Sequence, residues 1–138
     1  MLVSEVMTRD VDLVAPDTTL QAVARKMRDR DIGSLPVVEG DKLVGMVTDR
    51  DIVVNVIADS GDCTSARARE AMSEKLLYCY EDQSVDDVLK NMGGVQVRRM
   101  PVVNRDKRLV GIVSLGDLAR QGSSRKSGEA LKGISETR

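Results

Sequence analysis

The sequence predicts an α/β (α+β) protein in which one βαββα unit is written twice, the two copies packing about a pseudo-two-fold axis. Three observations carry this expectation. First, Leu35-Pro36-Val37-Val38, a polar turn, Leu43-Val44-Gly45-Met46-Val47, Thr48 and Asp51 form an ordered string of apolar residues, proline, turn, glycine, hydroxyl and aspartate. Second, Met100-Pro101-Val102-Val103, a turn, Leu109-Val110-Gly111-Ile112-Val113, Ser114 and Asp117 repeat that order piece by piece. Third, Met72, Asp82, Val88, Met92, Pro101 and Val103 stand 65 residues after Met7, Asp17, Val23, Met27, Pro36 and Val38. Beyond the hairpin turn the offset becomes 66, for Gly111 against Gly45 and Asp117 against Asp51. One extra residue in the second turn explains the slip, since loops absorb insertions that strands do not. A repeat of this kind says more about a fold than any single motif.

Each element follows from local pattern. Val3 to Met7 is expected to form a short helical lead-in, and the alternation in Val11-Asp12-Leu13-Val14 predicts a short strand. Thr18, three residues before Gln21, is a capping-box signature. Leu20, Val23, Ala24 and Met27 then recur on one helical face. Leu35 to Val38 and Leu43 to Val47 are the arms of a hairpin turning at Glu39 to Lys42. Thr48 to Asp51 opens a second helix, apolar at Ile52, Val53, Val56 and Ile57. The second copy has its lead-in from Thr64 and a helix from Ser84 bearing Val85, Val88, Leu89 and Met92, which Gly93-Gly94 is expected to end. Repeat 1 is thus placed at 1–60 and repeat 2 at 64–120. Residues 121–138 form a polar, flexible tail in which Ala130, Leu131 and Ile134 offer a short docking turn.

Composition narrows the function classes. A chain of 138 residues buries about 68% of its unfolded surface, enough for stability, whereas a lone repeat is near the lower limit. With no Phe or Trp, the core must come from Val, Ile, Leu and Met. A net charge of −1 argues against general attraction to nucleic acid or anionic membrane. No apolar run approaches the ~20 residues that span a bilayer, and the N-terminus lacks the pattern of a signal peptide. Cys63 and Cys79 have no CxxC spacing and the chain has no His, so no metal site and a cytoplasmic location with reduced thiols are expected. The matched methionines read as core, not as a soft-metal box. Without His or a nucleophile–base pair, no catalytic constellation is expected either.

The hydroxyl and aspartate of each copy admit two compatible readings. Thr48 with Asp51, and Ser114 with Asp117, are spaced to cap a helix. The same residues can serve a nucleotide, the carboxylate accepting from ribose hydroxyls and the hydroxyl reaching phosphate. Gly33 and Gly45 allow close backbone approach or relieve packing, and Pro36 and Pro101 stiffen strand starts. Arg98-Arg99 stands where the first copy has Gly33-Ser34, either as a solvated pair or as a phosphate-binding cation. Asp49 adds negative charge beside Thr48, which disfavours a triphosphate there.

With the repeat laid out, the chain resembles a tandem pair of cystathionine-beta-synthase (CBS) domains, a stand-alone Bateman module, over about Val3 to Arg120. The resemblance rests on apolar-Pro-Val-Val followed by Gly-apolar-Val-Ser/Thr-x-x-Asp, found twice. It implies an adenosine-containing ligand (AMP, ADP or ATP, or else NAD(H) or S-adenosylmethionine), a flat homodimer and a regulated partner protein. It also implies that each site draws on both repeats. One would join Ser114 and Asp117 to Thr8, Val11, Asp12, Ile32, Gly33 and Pro36. The other would join Thr48 and Asp51 to Ser73, Leu76, Leu77, Val97, Arg98, Arg99 and Pro101, its arginines favouring the more phosphorylated ligand. The alternative is a structural dimerisation module with degenerate sites that binds no ligand.

Overall fold

The computed structural model describes residues 1–59, 61–75, 77–95 and 98–121. Leu76, Val97, the Met92 side chain and the tail beyond Gln121 with its expected docking turn lie outside the described residues. Two compact units are present, one of residues 12–76 and one joining Met1–Val11 to Leu77 and beyond. Repeats and units are therefore cut at different places: each unit takes its lead-in from the other copy of the sequence.

The reason lies at the helix starts, where backbone N–H groups lack intrahelical partners. In unit 12–76, Leu20 N donates to Ala66 O at 2.9 Å and Ala68 N to Thr18 O at 2.8 Å. In the other unit, Val85 N donates to Met1 O and Val3 N to Gln83 O, both at 2.9 Å. Each lead-in is closed by its own glutamate. Glu5 accepts from Leu2 N, and Glu70 from Arg67 N, both at 2.6 Å.

Unit 12–76 contains α1 (Leu20–Arg30), β1 (Ser34–Glu39), β2 (Lys42–Thr48), α2 (Asp49–Asn55) and the lead-in helix α3 (Ala68–Ala71). The strand expected at Val11 to Val14 shrinks to one parallel bridge, Val14 with Val37. Pro16 follows almost at once and ends any extension of the pairing. Thr19, not Thr18, caps α1: its Oγ1 accepts from Ala22 N at 3.2 Å, while Thr18 Oγ1 accepts from Ala15 N in the preceding turn. β1 and β2 are antiparallel with Pro36 opposite Met46 and Ser34 opposite Thr48. Gly40, at φ 66°, makes the tight turn between them. Leu20, Val23, Leu35, Val37, Val47 and Ala68 form the heart of this core.

The second unit contains the 3-10 turn Val3–Glu5, β3 (Cys79–Tyr80), α4 (Val85–Val95), β4 (Arg99–Val103), β5 (Leu109–Ser114) and α5 (Leu115–Gln121). Here β3 pairs in parallel with β4, and β4 antiparallel with β5. The extra turn residue is accommodated by Asn104, whose side-chain oxygen accepts from Asp106 N and Arg108 N, with Lys107 at φ 63°. Contrary to expectation, α4 runs through Gly93-Gly94 to Val95. Glycine in a helix costs only about 1 kcal/mol against alanine, too little to stop it alone. Val85, Val88 and Leu89 are fully buried with Val3, Val102 and Leu118. The helical face is narrower in the first copy, because Ala24, the counterpart of Leu89, is exposed. Met7, Met27 and Met100 are core residues, as their matched spacing implied.

Candidate functional site

The two hydroxyl–carboxylate pairs are formed where a strand gives way to a helix. Thr48 is the last residue of β2 and keeps an extended backbone at φ −115°, so its side chain faces the first turn of α2. Asp51 N donates to Thr48 Oγ1 at 3.0 Å, and Thr48 N donates to Asp51 Oδ2 at 3.0 Å. The counterpart repeats the exchange, Asp117 N to Ser114 Oγ at 3.1 Å and Ser114 N to Asp117 Oδ2 at 3.3 Å. The capping reading is therefore realised in both copies, and all four side chains are half-buried. Capping uses only one carboxylate oxygen. Among the described residues Asp51 Oδ1 has no partner, whereas Asp117 Oδ1 accepts from Arg120 Nη2 at 2.7 Å.

Each cap has a lead-in beside it. Ser73 and Met46 exchange hydrogen bonds of 2.8 and 3.1 Å two residues before Thr48, and Thr8 and Ile112 exchange two of 2.9 Å two residues before Ser114. The structure thus brings Ser73 close to the Thr48 cap and Thr8 close to the Ser114 cap. Gly45 and Gly111 are needed at these crossings. A Cβ on Gly45 would lie 2.9 Å from Ser73 O, and one on Gly111 3.0 Å from Thr8 O. Packing of the lead-in, not access for a ligand, occupies the space at Gly45.

The remaining described residues of the predicted sites divide between the two units. In unit 12–76, Pro36 is buried and its carbonyl accepts from Val14 N at 3.0 Å. Ile32 and Asp12 are half-buried, and Asp12 pairs with Arg30 at 3.4 Å. Gly33 O accepts from Asp49 N at 3.0 Å, with the Asp49 carboxylate over the glycine. In the other unit Arg98 O accepts from Leu115 N at 2.8 Å, the matching bond, and Arg99 lies opposite Ser114. The same corner is therefore acidic in one unit and basic in the other. Pro101 is buried, while Val11 and Leu77 are half-buried. An open cleft of about 510 Å³ runs along α1 past Leu13, Arg25, Lys26 and Arg30, and none of the predicted site residues lines it. Arg120 is the residue that the motif did not single out, although a basic residue three positions after an acidic one on a helix is a recognisable pair.

The repeated strand–cap–helix architecture has a counterpart among known proteins. The CBS domain family matches residues 3–57 and 68–123. The chain belongs to the CBS-domain family. Among its CBS relatives, the uncharacterised protein YlbB of Bacillus subtilis is 41% identical over 137 residues, covering 97% of this chain and 91% of YlbB. Hypoxic response protein 1 of Mycobacterium tuberculosis is 41% identical over 117 residues, covering 84% and 81%. A crystal structure of Hypoxic Response Protein I with two coordinated zinc ions has a TM-score of 0.80 at 39% identity, covering 88% of this chain and 99% of that one. CBSX2 in complex with AMP has a TM-score of 0.76 at 23% identity, covering 87% and 94%, a likeness of fold. The present CBS pair has no His, and no cluster of three or more acidic or thiol side chains suited to a metal occurs among its described residues. No helix among them is long and apolar enough to cross a membrane.

Proposed function

We propose that this CBS pair is a regulatory module that binds an adenosine-containing ligand at its two hydroxyl–carboxylate caps and passes occupancy to a partner protein. The observation that carries the reading is the cap itself. In both copies one carboxylate oxygen is used to close the helix and the other points away from that bond, so Asp51 and Asp117 can accept from the paired hydroxyls of a ribose. The AMP bound by CBSX2 supports an adenosine nucleotide as the ligand class. Arg98 and Arg99 are exposed and have no side-chain partner among the described residues, which suits them to a phosphate. The same reading takes the protein as a cytoplasmic homodimer. Exposed Val53, Val54 and Ile57, along α2 and the turn after it, supply apolar surface for a second copy.

A ligand that binds only the folded state stabilises it by mass action, about 2.7 kcal/mol at a hundredfold excess over Kd. Thermal shift with AMP, ADP, ATP, NAD(H) and S-adenosylmethionine, on protein freed of nucleotide, is therefore the test. At least one adenosine compound raises Tm, and Asp51→Ala/Asp117→Ala abolishes the rise. A flat response to all of them favours a structural dimerisation module instead.

A further inference from the structure

The two caps share a plan but not a state of occupation. Asp51 and Val54 stand where the second copy has Asp117 and Arg120, so only the second carboxylate has a cation on the next turn of its helix. Arg120 Nη2 lies 2.7 Å from Asp117 Oδ1, while Asp117 Oδ2 is held by Ser114 N. Both acceptor atoms of Asp117 are thus engaged within its own unit. Asp51 Oδ1 has no hydrogen-bond or ion-pair partner among the described residues.

We propose that Arg120 is a specificity-determining residue: by holding Asp117 it makes Ser114/Asp117 the weaker adenosine cap and leaves Thr48/Asp51 to fill first. This rests on the adenosine-binding reading above. A ribose that approaches Asp117 must displace the guanidinium or share an oxygen with it, and at Asp51 it meets an open acceptor. The pair lies at the surface, with Arg120 72% exposed and the half-buried Asp117 28%, so the competition is modest. Exposed ion pairs of this kind correspond to a factor of about two to five in affinity.

Calorimetry with adenosine and AMP separates the possibilities. Asp51→Ala leaves the Ser114/Asp117 cap alone, and adding Arg120→Ala to it tightens adenosine binding about two- to fivefold. Raising the salt concentration narrows that gap, because the ion pair is screened. Arg120→Ala in a chain with both caps intact brings the two affinities together, so the result does not depend on how well Asp51→Ala folds. Unchanged or weaker adenosine binding on removal of Arg120 overturns the proposal. A loss confined to AMP also overturns it, since Arg120 would then be holding phosphate. If neither Asp51→Ala nor Asp117→Ala alters binding, the adenosine reading itself fails, an outcome distinct from a silent Arg120.

Discussion

Gly45→Ala tests whether the crossing of lead-in and β2 is as tight as its geometry implies. The added Cβ would sit 2.9 Å from Ser73 O, 3.0 Å from Met72 Sδ and 3.3 Å from Met72 Cγ. The thioether can swing aside; the carbonyl cannot. Ser73 is held to Met46 by hydrogen bonds of 2.8 and 3.1 Å, so a retreat of about half an ångström to ordinary contact stretches both. Overpacking of this kind costs about 1–3 kcal/mol, and two weakened hydrogen bonds worth roughly 1 kcal/mol each fit the same range. We take about 2 kcal/mol. With an unfolding entropy of roughly 2.1 cal/mol/K per residue, that lowers Tm by about 7 °C in a chain of this length. Scanning calorimetry and urea unfolding both read it. Gly116→Ala is the control, because its Cβ would meet only Ser114 Oγ at 3.7 Å inside α5. It should gain about 0.5–1 kcal/mol from helix propensity. A Gly45→Ala protein as stable as the parent would refute the packing argument, and with it the claim that this glycine serves the lead-in.

Four further outcomes are expected. Thr48→Val removes the oxygen that accepts from Asp51 N and should cost about 0.5–2 kcal/mol in urea unfolding, even without ligand. Leu89→Ala empties a fully buried position and should cost about 2–5 kcal/mol, whereas the counterpart Ala24 is exposed and Ala24→Ser should scarcely register. Burial pushes the Cys79 thiol up to about 12, so in native protein at pH 8 a thiol reagent should label half-exposed Cys63 and spare Cys79, with both reacting after denaturation. The unfolded thiol ionises first as pH rises, so this group's contribution is complete below about pH 8.5 and declines from there towards 12. Arg98→Ala should weaken AMP by about 1–3 kcal/mol in titration calorimetry and leave adenosine unchanged, as expected for a bond to a charged phosphate.

Much of this molecule was legible before any coordinates. The doubled string from Leu35 to Asp51 and from Met100 to Asp117 placed both hairpins and both short helices, because strand alternation, proline position and cap spacing are local rules. The caps were readable for the same reason: a hydroxyl three residues before an aspartate at a strand-to-helix junction has few other ways to satisfy its backbone. Local rules also misled in places. Thr18 and Thr19 are equally good caps by composition, and only the turn back to Ala15 takes Thr18 out of the choice. Val11 to Val14 alternates like a strand but finds a pairing partner at one residue. One fact was decided by tertiary structure. The lead-ins change places because each helix start needs carbonyl acceptors, which the lead-in of the other copy supplies, and no periodicity records which copy supplies them. Asp51 and Asp117, identical in the motif, differ in state because Val54 and Arg120 follow them by one helical turn, a difference already written in the sequence. The sequence by itself determined that there are two caps and that only the second has a cation three residues on; packing decided that each unit takes its lead-in from the other copy.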